Sequence, residues 1–202
     1  MKGVILISGS GSNLQSIIDS ADRIDLSIQC VISNKPNAYG LKRAAKANIL
    51  NCVIDHQLYD SRKKFDLALM NVIDKYQPDI IILAGFMRIL TDEFINKYQG
   101  RMLNIHPSLL PKYPGLNTHQ QAVSAKDKTH GASVHFVTKT LDGGPVIAQK
   151  EVKIIPEESV EALAAKVLKQ EHALYPEVIH WYTQGRLKLL NETTATLDGQ
   201  VI

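Results

Sequence analysis

The chain has 202 residues, 45% of them hydrophobic and 21% charged, with a net charge of +3. That is enough chain for one medium domain with a real core. The mild positive charge suits a small anionic ligand, and no Lys/Arg run or basic stripe interleaved with aromatics points to nucleic acid.

Apolar runs and helical patterns alternate through the first half. A strand is predicted over 4–8, a helix over 12–18 with Leu14, Ile17 and Ile18 on one face, and a strand over 28–33. A short helix over 39–47 and a weaker strand over 52–54 follow. Phe65, Leu69, Val72, Ile73 and Tyr76 recur at helical spacing, Pro78 ends that helix, and 80–84 is a fully apolar strand. Next come a helix over 91–98, a strand over 102–106 and a helix over 118–125. Strands over 133–137 and 146–152 are expected to pair antiparallel. Val160, Leu163, Val167 and Leu168 mark a long helix, expected to bend near Pro176. Residues 186–190 are expected to add a last edge strand. This order predicts an α/β fold, a Rossmann-like doubly wound, mostly parallel but mixed sheet with helices on both faces. One domain spanning 1–202 is expected, with the site at the carboxyl ends of the strands.

No apolar run approaches about 18 residues, so no transmembrane helix is expected. The first apolar run is too short, and too soon followed by Ser-Gly, for a signal peptide. Cys30 and Cys52 lie in or beside apolar stretches without metal-ligand spacing. Reduced core thiols of a cytoplasmic protein are expected, with no membrane partner.

Residues 8–13 read Ser-Gly-Ser-Gly-Ser-Asn between the first strand and the first helix. Two readings stand: a tight turn with a serine cap, or an anion site at a helix N-terminus. Leu14 occupies the place of the third glycine of a dinucleotide fingerprint, and the second strand ends in Ser33 and Asn34 with no acidic residue for a ribose. No Gly-Lys-Ser/Thr follows, so this is not a P-loop either.

The densest chemistry lies in residues 103–111, Leu-Asn-Ile-His-Pro-Ser-Leu-Leu-Pro, and 141–145, Leu-Asp-Gly-Gly-Pro. Strand alternation puts Asn104 and His106 on one side and Leu103 and Ile105 on the other. Asp142 sits in a glycine loop, where backbone can approach a ligand closely. An amide, an imidazole and a carboxylate suit a reaction that builds charge on a carbonyl oxygen and moves protons. Singly, Asn104 could be a network residue and Asp142 turn chemistry. His119, His130 and His135 are left as structural. No zinc spacing and no Gly-x-Ser-x-Gly elbow is present, so no metal is implied and a serine hydrolase is unsupported.

The Asn-x-His pair with a distant Asp resembles the folate-dependent formyltransferase superfamily, and the resemblance runs over nearly the whole chain. It implies Asn104, His106 and Asp142 as the catalytic residues. Asp142 is expected either to raise the pKa of His106 alone or also to relay the amine's proton through water to the folate nitrogen, two roles that the sequence does not separate. The resemblance implies 10-formyltetrahydrofolate as co-substrate and glycinamide ribonucleotide as acceptor, as in de novo purine synthesis. Gly11, Ser12 and Asn13 would hold the ribonucleotide phosphate, with Pro107 and Glu171 on the rest of that substrate. Met87, Arg88, Ile89 and Leu90 would line the pterin pocket beside Asn104, and Arg62 would meet the glutamate tail. Without the resemblance, Arg62 and Arg88 read as solvated arginines and Glu171 as part of a helix's polar face. The implied organisation is a nucleotide-binding N-terminal half and a folate and catalytic C-terminal half. The chain departs from the family at Asn117, where many members have His, and in a short stretch over 21–26.

Three functions are weighed: the transfer just described, another 10-formyltetrahydrofolate enzyme (a hydrolase or a methionyl-tRNA formyltransferase), and a nucleotide-binding module without catalysis. The hydrolase normally has an N-terminal regulatory domain and the tRNA enzyme an extra C-terminal one. The third leaves the Asn, His and Asp unexplained. The sequence does not decide between a monomer and a homodimer.

Overall fold

The computed structural model describes residues 1–202. Its parallel strands are β1 (Lys2–Ile7), β2 (Ser27–Ser33), β3 (Asn51–Val53), β4 (Ile80–Leu83) and β5 (Met102–His106); β6 (Thr129–Phe136) and β7 (Val146–Lys153) form an antiparallel pair. The strand order is β3-β2-β1-β4-β5-β6-β7, an α/β, Rossmann-like arrangement. The helices are α1 (Ser12–Ile18), α2 (Tyr39–Lys46), α3 (Arg62–Ile73), α4 (Asp92–Lys97), α5 (Thr118–Ser124) and α6 (Val160–Thr183). The chain divides into two compact units, Met1–Asn104 and Ile105–Ile202.

In the N-terminal unit, all four residues of β4 and the last five of β1 are buried. A strand whose successive side chains are all buried is covered on both faces, which is why these runs read as unbroken Val, Ile and Leu. Each fully buried Ile or Leu contributes about 1.5–3 kcal/mol. Side-chain caps set three helix starts: Ser61 Oγ accepts from Lys64 N–H, Thr91 Oγ1 from Phe94 N–H and Ser159 Oγ from Ala162 N–H. The glycine loop packs onto the start of α2, where Gly40 N–H donates to the Gly9 carbonyl at 3.0 Å. Gly11 has φ +70°, and a Cβ on it would lie 2.6 Å from Gly40 Cα, so a side chain is barred twice over.

In the C-terminal unit, α6 packs on β6 and β7 and continues through the buried Pro176. Two expectations are corrected. β6 begins four residues earlier than the pattern predicts, because Thr129 to Ala132 carry little strand-like alternation. The segment expected as a last edge strand, β8 (Leu187–Asn191), belongs instead to a separate three-stranded antiparallel sheet with β9 (Thr194–Leu197) and β10 (Gln200–Val201). No helix is long and apolar enough to cross a membrane.

Candidate active site

Strand β5 ends in Asn104, Ile105 and His106, and the chain then turns through a loop fastened at many points. Ser108 N–H donates to the His106 carbonyl at 2.9 Å and Ser108 Oγ to the Lys112 carbonyl at 2.6 Å. Thr118 Oγ1 donates to the Pro107 carbonyl at 2.7 Å. Ser133 of β6 donates to the Ser108 carbonyl at 2.6 Å and accepts from Leu110 N–H at 3.0 Å. Gln149 of β7 adds a bond to the Leu110 carbonyl at 2.9 Å. Buried backbone groups here are satisfied by side chains, which holds an irregular loop in one shape.

His106 is buried. Its Nε2 lies 2.8 Å from the Tyr113 carbonyl oxygen, and its Nδ1 faces Asp142 Oδ2 at 3.4 Å. Asp142 has φ +49° in the loop between β6 and β7. Its Oδ2 accepts from Gly115 N–H at 2.8 Å, and its Oδ1 faces Nε2 of His135 at 3.6 Å. The Nδ1 of His135 lies 2.8 Å from the Phe136 carbonyl oxygen. One carboxylate therefore stands between two imidazoles.

A carbonyl oxygen can only accept, so each ring carries its proton on the nitrogen facing the carbonyl. In a neutral ring the nitrogen facing Asp142 is then bare. Both gaps to the carboxylate, 3.4 and 3.6 Å, are longer than a normal hydrogen bond, and each leaves room for a proton to be taken up on the ring nitrogen beside the charge. Burial pulls the pKa of His106 down; the Tyr113 carbonyl and Asp142 push it up, His135 opposes them, and the net direction is down. The expectation that Asp142 raises the pKa of His106 is corrected in its outcome. The carboxylate acts in that direction, but desolvation outweighs it. Asp142 itself is held below the usual carboxylate value: burial would raise it, but His135, Gly115 N–H and His106 more than offset that. The cluster is thus an ionised carboxylate between imidazoles, with His106 kept neutral, arranged to take up one proton.

Of the other residues singled out in this unit, Pro107 is half-buried and Glu171 is buried on α6. Asn117 adopts φ +58° just before α5, a conformation Asn tolerates well.

In the N-terminal unit, Gly11, Ser12 and Asn13 start α1 at the carboxyl end of β1, and the glycine cap supplies no side-chain oxygen to the first turn. Ser8 donates to Asn34 Oδ1 at 2.6 Å and accepts from Met87 N–H at 2.7 Å, tying this loop to the segment after β4. There Met87 and Ile89 are 59% and 50% exposed, whereas Phe86 and Leu90 are buried. Apolar side chains left in solvent at a strand's carboxyl end suit a flat ring. Leu90, with its side chain in the core, can offer only backbone. Arg88 lies 5.7 Å over the Phe65 ring, and its buried Nε has no hydrogen-bond partner. The buried Asp66 accepts from Thr91 N–H at 2.6 Å with Oδ2, while its Oδ1 has none. Burial raises the pKa of Asp66, while its bonds to Thr91 and the charges of Arg62 and Arg88 act the other way. Arg62 is exposed at the start of α3.

His119 Nδ1 and His130 Nε2 lie 3.1 Å apart. Burial, and next the neighbouring His119, lower His130 from 6.5 to about 4. Unfolded, this side chain takes a proton near pH 6.5 that the folded protein refuses. Its contribution to stability is therefore whole above pH 6.5 and is lost as pH falls toward 4; His106 and His119 shift in the same direction. Urea titrations are expected to show stability falling between pH 7 and 5, with His130 responsible for about 2 kcal/mol. The fall should shrink in His130→Gln. A flat stability, or a fall unchanged by that substitution, would contradict this.

The sequence reading missed three groups of this site. His135 reads as structural from the sequence, although its place on β6 just ahead of the Asp142 loop is a usable signal. The Tyr113 carbonyl and the Gly115 N–H are backbone groups without a sequence signature.

Residues 1–179 match the family model described as Formyl transferase. The chain is 52% identical over 202 residues to the phosphoribosylglycinamide formyltransferase of Escherichia coli, covering 99% of this chain and 95% of that protein. The trifunctional purine biosynthetic protein adenosine-3 of Homo sapiens is 43% identical over 92% of this chain, which spans 18% of that protein. Among solved structures, the phosphoribosylglycinamide formyltransferase of Coxiella burnetii superposes with a TM-score of 0.95 at 48% identity, covering 100% of this chain and 95% of that one. The chain belongs to the formyl transferase family.

Proposed function

We propose that this enzyme transfers the formyl group of 10-formyltetrahydrofolate directly to the amino group of glycinamide ribonucleotide. The products are formylglycinamide ribonucleotide and tetrahydrofolate, a step of de novo purine synthesis. The observation that carries the reading is the Asp142 carboxylate between His106 and His135, both rings having their protons committed to backbone carbonyls. Relatives covering nearly the whole chain carry the name of this activity.

As the amine attacks the formyl carbon, the carbonyl oxygen becomes negative and the nitrogen becomes an ammonium. Asn104 donates its amide to that oxygen, a contribution of about 2.7–4 kcal/mol for one preorganised donor. The ammonium proton passes through water to the Asp142 cluster and rests on His106 Nδ1 beside the carboxylate, and the imidazolium formed there favours the negative oxygen by its charge. When the bond from carbon to the folate nitrogen breaks, the proton returns to that nitrogen. No residue is needed as a covalent formyl carrier.

Gly11, Ser12 and Asn13 hold the phosphate, while Pro107 and Glu171 hold the ribose and glycinamide. Met87, Arg88, Ile89 and Leu90 line the pterin site with Asn104, and Arg62 meets the glutamate tail. The half-exposed Met87 and Ile89 and the unpartnered Nε of Arg88 fit such a ligand. The two units act as one formyltransferase domain in the cytoplasm.

The test follows the absorbance change as 10-formyltetrahydrofolate loses its formyl group. Loss is expected only with glycinamide ribonucleotide present, and to vanish in His106→Ala. Equal loss in water alone would make the chain a hydrolase and overturn the reading.

A further inference from the structure

We infer that Asp127, outside the reacting cluster, is a positioning residue that holds the loop on which His106 and Asp142 both depend. The inference rests on the proposed reading of that cluster. Asp127 stands just beyond α5, its own N–H fixed to the Ala122 carbonyl at 3.1 Å. Its Oδ2 accepts from the Tyr113 hydroxyl at 2.9 Å, and its two oxygens take the Lys112 ammonium at 3.2 and 3.0 Å. Lys112 and Tyr113 are consecutive, and Tyr113 has φ +56°, a conformation that costs free energy for a bulky aromatic residue.

From that strained turn the backbone serves the site twice. The Tyr113 carbonyl accepts the proton of His106 Nε2 at 2.8 Å. Two residues on, Gly115 N–H donates to Asp142 Oδ2 at 2.8 Å. The Tyr113 side chain thus points outward to a fixed carboxylate while its carbonyl points inward to the imidazole. The bond from Tyr113 carries the link, because a hydrogen bond to a charged acceptor is strong, whereas the ion pair to a 61% exposed Lys112 is worth little. The groups facing Asp127 are Lys112 and Tyr113 of the loop and His130 of β6, which favours its charged form.

The consequence is directional. Release of Tyr113 frees the carbonyl that fixes the tautomer of His106, and His106 then turns its proton toward Asp142. That spoils the proton acceptor without touching a substrate contact, so the loss falls on kcat rather than on KM.

Asp127→Ala and Tyr113→Phe are each expected to lower kcat by about tenfold to a hundredfold, with KM for the ribonucleotide within about twofold. The double variant is expected to be no worse than either single one, since both break one link. Asp127→Asn should retain most activity, because its amide oxygen still accepts from the tyrosine. In the ligand-free protein, nitrogen-15 NMR of the imidazoles should show the His106 Nε2 signal moved in Asp127→Ala and Tyr113→Phe but not in Asp127→Asn. This readout needs no substrate, so it decides the inference even if the acceptor is another amine. Unmoved His106 signals, kcat within twofold of the parent, or losses that multiply in the double variant would each overturn it. Should the alanine variant not fold, Tyr113→Phe alone decides.

Discussion

Asp142→Asn is expected to lower kcat by about 10²–10⁴-fold while the protein stays folded. The amide keeps the shape of the carboxylate, and its oxygen can still accept from Gly115 N–H, which Asp142 now engages at 2.8 Å. What it removes is the charge between His106 and His135. The folded protein holds Asp142 below its ordinary value of 3.8, so at neutral pH the carboxylate is fully ionised. Without that charge, an imidazolium at His106 has only burial and His135 acting on it besides the Tyr113 carbonyl, and both disfavour it. The proton from the attacking amine then has no acceptor. Steady-state rates across pH 5–9 would check this, and a rate within about fivefold of the parent with the same pH profile would contradict it. The stabilising contribution of the ionised Asp142 is present above pH 3.8 and is lost as pH falls through its lower folded value.

Gly144→Ala is expected to be the most damaging single methyl in the site. An added Cβ would stand 2.0 Å from the Phe136 carbonyl oxygen, a backbone atom that cannot swing aside. The same stretch is sealed from the other side, where Phe136 N–H donates to the Pro145 carbonyl at 3.1 Å. Relief requires the end of β6 to part from the loop, and that moves His135 and Asp142 in opposite directions. A cost of about 3 kcal/mol follows from overpacking, or a fall in Tm on the order of 10 °C. A misplacement near 1 Å at the cluster can cost about a hundredfold in kcat. Gly143→Ala is the milder comparison: its Cβ would meet Thr140 Cγ2 at 2.5 Å, which can rotate away, and Thr140 Cβ at 2.8 Å, which yields only by a small shift of the turn, with no backbone carbonyl closer than 3.6 Å. Thermal unfolding and kcat for the two variants check the contrast. A Gly144→Ala protein with parental Tm and rate would refute the packing argument.

Much of the fold is legible because burial writes itself into hydrophobic period. The unbroken run at β4 and the helical repeat from Phe65 to Ile73 could be read directly, and β5 was placed at its observed bounds. The C-terminal sheet was harder. Residues 186–190 look like an edge strand of the main sheet, but β8 pairs with β9 alone and β9 in turn with β10, and both of these are short and carry few large apolar residues. A usable signal did exist: Asp198 and Gly199 both have positive φ, and an Asp-Gly pair is a strong hairpin cue. In the site, side chains that react announce themselves by type, as Asn104, His106 and Asp142 do. Groups that hold them do not. Nothing in the letters Tyr and Gly says that a carbonyl at 113 and an N–H at 115 fasten a histidine and an aspartate. The pKa of His106 divides the same way: the upward push of Asp142 can be guessed from the motif, but the burial that outweighs it is a property of the folded chain.

The most direct test of direct formyl transfer is to supply 10-formyltetrahydrofolate labelled with carbon-13 in the formyl group and follow that carbon by NMR in the presence of glycinamide ribonucleotide. The label is expected to move onto the amine nitrogen of the ribonucleotide in step with tetrahydrofolate release, without passing through free formate or a labelled protein. Labelled formate as the main product, or label retained on the chain, would contradict the account.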